Sequence, residues 1–373
     1  MDHPPTQAAL HVGIEATRLL RDRRGIGRYV RNLLLQLHVL RPSLRFTLYV
    51  RNEEDRGLMR AHLASMSDAL ASRSAVAHID DLPSSRADVM WYPWNWLHPE
   101  TRTCAHVVTV LDVAPMLQLD HRWWKWLKRV KYRRRYTRTV RRADMILAIS
   151  AFTKREMERF LPVDSARVRV TLLAADDLPG PSSGPSASLE RAGITGPFFL
   201  TVGAQEARKN LHVLYQAMEQ LHARGERVPL VQCGPSARAA PRPWLHHVGF
   251  VSDAELSTLY QRATALVFPS SYEGFGLPAL EAMAAGGRVV CANASSLPEV
   301  VGDAALVFQH DDAGALATQL SRVLHDTSLQ QQLTRAGKAQ AAKFRWATTA
   351  AQTLEVFDEA VVRHATSRRS GQR

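Results

Sequence analysis

The sequence predicts an α/β protein built from two doubly wound parallel-sheet domains. Short apolar runs alternate with amphipathic helical segments through both halves of the chain, as in parallel strands joined by crossover helices. With 373 residues, the chain is longer than one domain of ordinary size. A stretch rich in Pro, Gly and Ser at 179–188 predicts a linker between a first domain at 1–178 and a second at 189–350.

Composition limits the functional classes. The chain has 46% hydrophobic and 22% charged residues, as ordinary globular proteins do, and no apolar run reaches the roughly 20 residues of a membrane-spanning helix. No secretory signal is visible at the N-terminus. Cys104, Cys233 and Cys291 are scattered in or beside apolar runs, so we expect reduced core residues of a cytoplasmic protein. The net charge of +13 indicates an anionic partner, whether nucleotide, nucleic acid or lipid surface.

The elements of the first half follow the strand–helix pattern. A first strand begins at His11, and the glycine loop Gly25-Ile-Gly27-Arg28-Tyr leads into an amphipathic helix at 30–40. A Gly-x-Gly loop that opens a helix suits an anion, although by itself it fits a plain strand-to-helix turn better. Further strands are predicted at 44–50, 87–91, 106–111 and 143–149, and a further helix at 56–70.

One segment of the first half, 121–142, is strongly basic and contains no acidic residue. Trp123, Trp126, Leu127, Val130 and Tyr136 fall near one face of a predicted helix, with Lys and Arg around them. This composition is typical of a helix that lies on an anionic membrane surface, and burial of its apolar side in the domain is the alternative.

The second half has strands predicted at 198–202, 229–233, 248–251, 265–268 and 289–292. After the strand at 265–268, Gly274 and Gly276 permit a sharp turn, and Pro278 suits the first turn of a helix. Two carboxylates, Glu273 and Glu281, bracket this loop. The arrangement predicts a site for a ligand that carries phosphates and hydroxyls, at the carboxyl end of a strand. Helices are predicted at 211–223, 313–325, 329–344 and 346–362, with a C-terminal helix over 351–366 that joins the first domain and a disordered basic tail at 367–373.

The stretch Glu273-Gly-Phe-Gly-Leu-Pro-Ala-Leu-Glu281, followed by Ala-Met-Ala-Ala-Gly, resembles the Glu-x7-Glu motif of family 4 retaining glycosyltransferases. The resemblance implies the GT-B fold, in which two Rossmann-like domains face a cleft. The segment that begins at Gly203 and contains Arg208-Lys209-Asn-Leu resembles the family's diphosphate-binding segment. A forked guanidinium and a point ammonium suit adjacent phosphates, which makes both residues catalytic candidates together with Glu273.

For the nucleotide-sugar donor, the resemblance implies a larger set of binding residues. These are Gly203, Arg208, Lys209, Phe250, Val251, Glu273, Gly274, Phe275, Gly276, Leu277 and Glu281. Glu281 would accept hydrogen bonds from the ribose, and backbone atoms near Val251 would hold the base. Because no Asp-x-Asp motif is present, we expect no metal and no cofactor beyond the donor itself.

On the acceptor side, the resemblance implies Gly25, Gly27, Arg28 and Asp112. The form Gly-Ile-Gly-Arg-Tyr is similar to that of bacterial polysaccharide mannosyl- and rhamnosyltransferases, so we favour GDP-mannose as donor. Where the family usually has His-Asp, this chain has Leu111-Asp112, and neither His98 nor His106 takes the place of the missing histidine. Asp112 alone also fits a loop-capping aspartate.

The functional hypothesis is a retaining, metal-independent transfer of a hexose to a hydroxyl of a lipid-linked or polysaccharide acceptor in envelope glycan synthesis. We expect a cytoplasmic protein, peripheral on the inner face of the cytoplasmic membrane and anchored through 121–142. A nucleotide-sugar hydrolase or epimerase on the same fold is the first alternative. A basic nucleic-acid-binding protein is the second, although no nucleic-acid-binding module is recognisable and we expect no nucleic-acid partner.

Overall fold

The computed structural model describes residues 9–22, 25–101, 103–117, 126–180, 184, 186–235 and 242–370. They form two compact units: with those gaps, the first takes 9–117, 126–173 and 346–370, and the second takes 174–345. The predicted domain boundaries are therefore corrected at two places. Residues 174–178 belong to the second unit rather than the first, and residues 346–350 belong to the first rather than the second.

The first unit is built on a seven-stranded parallel sheet. Its strands are β1 (His11–Glu15), β2 (Arg45–Val50), β3 (Ser74–His78), β4 (Val89–Tyr92), β5 (Ala105–Val110), β6 (Met145–Ala148) and β7 (Val168–Val170). Their spatial order is β3-β2-β1-β4-β5-β6-β7, so the direction of winding reverses between β1 and β4. The central strands are fully buried, which explains their near-continuous apolar sequences.

Within the described residues, six α-helices of the first unit precede the second unit in sequence. They are α1 (Ile26–Leu40), α2 (Glu53–Met66), α3 (Asp68–Ser72), α4 (Ala114–Leu117), α5 (Trp126–Arg142) and α6 (Ala151–Phe160). The first helix buries Val30, Leu33, Leu34 and Leu37, the apolar positions whose helical spacing predicts it. Its first turn starts four residues earlier than predicted, directly after Gly25.

The second unit is built on a six-stranded parallel sheet. Its strands are β8 (Phe199–Val202), β9 (Leu230–Cys233), β10 (Leu245–Gly249), β11 (Ala265–Phe268), β12 (Val289–Ala292) and β13 (Leu306–Phe308). The order is β10-β9-β8-β11-β12-β13, with every neighbouring pair parallel. Two doubly wound parallel sheets are thus confirmed. The strand predicted at 248–251 lies at 245–249, so Phe250 and Val251 follow it.

The helices of the second unit are α7 (Ala187–Arg191), α8 (Leu211–Ala223), α9 (Asp253–Arg262), α10 (Leu277–Ala284), α11 (Leu297–Val301), α12 (Ala313–His325) and α13 (Thr327–Ala341). The prediction of an irregular linker up to residue 188 is wrong at its end. Ser186 accepts a hydrogen bond from the backbone of Leu189 and so caps α7, which already includes residues 187 and 188.

The last helix, α14 (Trp346–Ser370), is part of the first unit. Its buried Phe357 packs against Trp91 of β4, and Asp358 accepts two hydrogen bonds from the Arg41 guanidinium, at 2.7 and 3.0 Å. The helix runs on to Ser370, so the prediction of a disordered tail from 367 is wrong for residues 367–370. Residues 371–373 lie outside the described part of the chain.

Candidate active site

The candidate site of the second unit lies where its sheet changes direction of winding. The strands β8 and β11 are neighbours, but the chain leaves β8 toward β9 and leaves β11 toward β12 on the other side. The loops that follow the two strands therefore diverge, which opens a crevice at the carboxyl edge of the sheet. The predicted donor segments are these two loops: Gly203 to Lys209 after β8, and Glu273 to Gly276 after β11.

Three charged side chains that the sequence singles out meet at this crevice. The Arg208 Nη1 atom donates to Glu273 Oε2 at 2.8 Å, and Lys209 Nζ donates to Glu273 Oε1 at 2.7 Å. Glu273 is buried, and Lys209 also lies 5.0 Å from the ring centroid of Phe268. The sequence predicts each of these residues separately, and the fold brings together partners that are 64 and 65 positions apart.

The charge state of Glu273 follows from its neighbours. Burial by itself would raise the pKa of this carboxyl group, but the positive charges of Lys209 and Arg208 and the hydrogen bond from Lys209 outweigh burial. The net result is a pKa below the usual value for glutamate. Glu273 is therefore an ionised carboxylate at neutral pH, suited to stabilising positive charge rather than to donating a proton.

Arg208 has a second carboxylate partner, which the sequence analysis did not consider. Its Nε atom donates to Glu206 Oε2 at 2.7 Å, while its backbone carbonyl accepts a hydrogen bond from the Ser271 backbone at 2.9 Å. The guanidinium is thus placed between Glu206 and Glu273, and the loops after β8 and β11 are joined through its main chain.

Further polar residues support the two loops, and sequence reasoning missed them. Ser295 Oγ accepts a hydrogen bond from the Glu273 backbone at 2.9 Å, and Ser296 Oγ lies 2.9 and 2.7 Å from the carbonyls of Glu273 and Phe275, to which it donates. Asn210 is in the left-handed region, with φ 55°, and its side-chain amide donates to the carbonyls of Pro269 and His310. An asparagine directly after Arg-Lys, next to a helix start, was the one available signal.

Gly276 forms the start of α10 as a phosphate-binding turn would require. Its φ of 110° disfavours any side chain, and a Cβ atom there would lie 2.6 Å from Leu297 Cδ2. No side chain caps the helix at Gly276, so the positive dipole end of α10 begins directly at this turn. Gly274 and Phe275 complete the buried turn between β11 and this helix.

The other donor-side residues occupy different environments. Glu281 is buried in α10, where its Oε2 accepts a hydrogen bond from the Tyr260 hydroxyl at 2.9 Å, a partner that the sequence did not reveal. Gly203 directly follows β8, and its N–H donates to the carbonyl of Cys233. At the end of β10, Phe250 is 69% exposed and Val251 is buried. An exposed phenyl ring at a strand end can stack against a planar base.

The predicted acceptor-side residues lie in the first unit, after β1 and β5. Gly27 permits no side chain, because a Cβ atom would lie 1.4 Å from the carbonyl oxygen of Asp22. Gly25 has a φ of 60° and precedes α1, whose Arg28 is buried. Asp112 accepts a hydrogen bond from the Ala114 backbone at 3.0 Å, the arrangement of a loop-capping aspartate.

Leu111 and His106 also have defined positions. The Leu111 N–H donates to Asn95 Oδ1 at 2.6 Å, and its carbonyl accepts from Thr153, so its backbone connects the loop after β4 with α6. His106 is buried in β5, where desolvation lowers its pKa, and its backbone N–H donates to Asp144. Within the described residues, no group of His, Cys, Asp and Glu is arranged to hold a metal ion.

The sequence is similar to known glycosyltransferases. Residues 190–340 match the family Glycosyl transferases group 1. The chain is 35% identical over 230 residues to O-antigen chain mannosyltransferase B of Escherichia coli, a match that covers 58% of this chain and 60% of that protein. It is 30% identical over 267 residues to the serotype-specific mannosyltransferase WbdA of Escherichia coli, covering 66% of this chain and 32% of that protein. The chain thus spans less than two thirds of these relatives.

Solved structures share the whole architecture. Sucrose-phosphate synthase from Thermosynechococcus elongatus has a TM-score of 0.72 at 17% identity, covering 94% of this chain and 98% of that one. Anabaena Alr3699/HepE in complex with UDP and glucose also has a TM-score of 0.72, at 14% identity, covering 94% and 99%. At this level of identity the likeness shows the fold, which is GT-B.

Proposed function

We propose that this chain, a GT-B protein with a glycosyl transferases group 1 domain at residues 190–340, transfers mannose from a nucleoside-diphosphate sugar to a glycan hydroxyl. Transfer proceeds with retention at the anomeric carbon, and the preferred donor is GDP-mannose. The acceptor is a lipid-linked or polysaccharide chain of the cell envelope. The names of both Escherichia coli relatives support mannose, and the name of the first supports an O-antigen type of glycan.

The observation that carries this proposal is the cluster of Arg208, Lys209 and Glu273 at the switch point of the second sheet. Breaking the bond between sugar and phosphate leaves negative charge on the departing diphosphate. Two adjacent cations and the positive dipole end at the start of α10 stabilise that charge without reorganisation of the site. The same bond breaking develops positive charge on the sugar ring, and the ionised Glu273 stabilises it.

Retention is proposed to follow a front-face route, in which the departing phosphate oxygen takes the proton of the acceptor hydroxyl. Such a route needs no protein base, which agrees with Leu111 at the position where the family usually has histidine. The front-face route also agrees with the ion pairs of Glu273, because a carboxylate that is bonded to two cations is a poor nucleophile and a poor base. Arg208 and Lys209 supply the positive charge that a bridging metal ion would otherwise supply, so transfer is proposed to be metal-independent.

A transfer assay in excess chelator tests the whole proposal. With radiolabelled GDP-mannose and a mannose-terminated oligosaccharide, we expect labelled product that an α-mannosidase removes, formed equally with and without chelator. GDP-glucose, which differs from GDP-mannose only in the sugar, tests selection of the sugar. UDP-glucose, which differs from GDP-glucose only in the base, tests selection of the base. Release of free mannose without transfer would indicate the hydrolase instead. Product that appears only after magnesium or manganese is restored would overturn the metal-independent mechanism.

The basic helix α5 is proposed to hold the protein on an anionic membrane surface. Its inner side packs on the first unit: Tyr136 is fully buried, and Trp96 stacks on Tyr132 and lies 4.4 Å from Tyr136, centroid to centroid. Leu127, in contrast, is 61% exposed, so the predicted single apolar face for Leu127 and Tyr136 is wrong. Residues 121–125, which include Trp123, Trp124 and Lys125, lie outside the described part of the chain.

The outer side of α5 carries the charge that such an interaction needs. An open depression of about 600 Å³ is lined by Val130, Thr137 and five arginines: Arg133, Arg134, Arg138, Arg141 and Arg142. Glu100 is shared between two of them, Arg138 and Arg142, at 2.8 and 2.7 Å. Guanidinium groups pair well with lipid phosphates, and each basic residue near an anionic surface contributes about 1 kcal/mol. Among the described helices, none is long and apolar enough to cross a bilayer. On the basis of the charge of α5, we propose a peripheral location on the inner face of the cytoplasmic membrane.

Vesicle co-sedimentation tests this location. We expect binding to vesicles with anionic lipid and not to zwitterionic vesicles, with loss of binding toward about 0.5 M salt because the attraction is screened. A quadruple Gln variant of exposed α5 residues should lose binding: Lys128, Arg129, Lys131 and Arg133. A charge-matched control changes four exposed arginines elsewhere in the first unit: Arg60, Arg73, Arg86 and Arg155. Equal loss in both variants, or equal binding to neutral vesicles, would refute a specific role for α5.

A further inference from the structure

A buried carboxylate, Glu15, lies at the switch point of the first sheet. It is the last residue of β1, whose neighbours are β2 on one side and β4 on the other. The chain leaves β1 toward β2 and leaves β4 toward β5, so the loops after β1 and β4 diverge at the carboxyl edge of the sheet. A crevice of this kind is the usual ligand-binding position in an open parallel sheet. Glu15 ends β1 at the switch point of the first sheet, as Val202 ends β8 at the switch point of the second.

The backbone around Glu15 is held on both sides of the crevice. Trp94, in the loop after β4, is buried, and its Nε1 atom donates to the carbonyl of Glu15 at 2.7 Å. The next residue, Asn95, adopts a φ of 68°, and its N–H donates to the carbonyl of Thr109 in β5 at 3.0 Å. These bonds connect the ends of three adjacent strands and fix the position of Glu15. Such a rigid edge preorganises a binding site.

The carboxylate itself has unused hydrogen-bonding capacity. Only 7% of Glu15 is exposed, and its Oε1 accepts hydrogen bonds from the backbone and the hydroxyl of Thr17. In the part of the chain that the structure describes, Oε2 has no comparable bond to a protein donor. Burial raises the pKa of Glu15, and the bonds from Thr17 and the nearby charges of Arg18 and Arg51 offset burial only in part. A carboxylate can accept about four hydrogen bonds, so further donors would stabilise it.

The surrounding charges select the kind of ligand that can supply those donors. Arg18 and Arg51 lie close enough to act on Glu15 electrostatically, so a cationic ligand would be repelled by two guanidinium groups. An anionic phosphate or carboxylate group has no hydrogen to donate to the remaining acceptor positions of Glu15. Neutral hydroxyl groups meet neither obstacle, and a saccharide presents several of them on one face. The site is therefore matched to a neutral sugar.

We propose that Glu15 binds the acceptor saccharide, with its carboxylate accepting a hydrogen bond from a hydroxyl of the terminal sugar. Thr17 orients the carboxylate, and the Trp94 indole holds the main chain of Glu15. This inference rests on the proposed function, because it assigns the saccharide to the acceptor side of a glycosyl transfer. It adds a specificity residue to the acceptor side, where the sequence pointed only to Gly25, Gly27, Arg28 and Asp112.

The test is the effect of Glu15→Gln on the two substrates. With GDP-mannose saturating and a mannose-terminated trisaccharide varied, we expect the acceptor KM to rise at least about tenfold, as for loss of one charge-assisted hydrogen bond. The Kd of GDP, measured by calorimetry, should stay within about twofold of the parent value, since the phosphate-binding residues belong to the second unit. Glu156→Gln is the matched control, because Glu156 lies on α6 of the same unit and burial raises its pKa too.

Each outcome has a distinct meaning. An unchanged acceptor KM in folded Glu15→Gln would overturn the inference while leaving the proposed function standing. A parent protein that transfers nothing to any saccharide would instead overturn the function. If Glu15→Gln does not fold, Thr17→Val replaces it: removal of the hydroxyl that orients the carboxylate should raise the acceptor KM several-fold, and a parent-like KM would contradict the proposal.

Discussion

Replacing Glu273 with glutamine is expected to lower kcat for mannosyl transfer at least about 100-fold, on the order of 3 kcal/mol of transition-state stabilisation. The substitution keeps the shape of the side chain but removes the charge that faces the developing positive charge on the sugar ring. Binding of GDP alone should change much less, because Arg208 and Lys209 remain. Steady-state kinetics with GDP-mannose varied gives kcat, and calorimetry gives the affinity for GDP.

Glu206→Gln is the control for this experiment. Glu206 also bonds to Arg208, at 2.7 Å, yet it is 51% exposed in its side chain, whereas the Glu273 side chain is 10% exposed and bonds to both cations. We expect Glu206→Gln to keep kcat within a few-fold of the parent. If Glu273→Gln also turned over within a few-fold of the parent, Glu273 would no longer count as a catalytic residue.

Removing either cation is expected to weaken binding of the nucleoside diphosphate itself. Arg208→Ala and Lys209→Ala should each lower the affinity for GDP by roughly 1.5–3 kcal/mol, the usual contribution of a hydrogen bond to a charged group. Each substitution also leaves Glu273 buried with one cation instead of two, so the free energy of unfolding should fall as well. Calorimetry with GDP and thermal unfolding measure the two effects separately.

Arg322→Ala serves as the control for a lost arginine, because Arg322 is exposed on α12 of the same unit. It should change neither GDP affinity nor the unfolding temperature noticeably. Parent-like GDP affinity in both Arg208→Ala and Lys209→Ala would show that the diphosphate is bound elsewhere. The residues would then be counter-ions of Glu273 with a structural role only.

The strands that the sequence did not predict share one physical feature. They are β3, β7 and β13, and each lies at an edge of its sheet. A central strand of a parallel sheet is covered on both faces and so has a continuous apolar run, as in β11. An edge strand is covered less completely: Ser74–His78 has a single fully buried residue, and Val168–Val170 alternates with an exposed arginine. Because β3 and β7 lack an apolar run, their local sequence gives no strand signal. The strand β13 is apolar but only three residues long, Leu306–Phe308, which is too short to indicate a strand by its pattern.

The donor loop could be identified from sequence because its parts are contiguous. A strand, two glycines, a proline and two glutamates within 17 residues specify a turn into a helix start, and each residue type has a local reason for its place. The support of that loop could not be predicted in the same way. Ser295 and Ser296 act through side chains that are 21 to 23 positions from their partners, and nothing in a serine pair indicates such a role.

The sequence by itself determined the alternation of strands and helices, the division into two domains and the glycine loop that begins α10. All three depend on local pattern, which is set by backbone sterics and by the spacing of apolar residues. Only the tertiary structure decided the charge state of Glu273, because its pKa depends on two cations that parallel strand pairing brings to the same sheet edge. The same holds for Glu15, an unremarkable glutamate in the sequence that becomes a candidate ligand residue because strand order places it at a switch point.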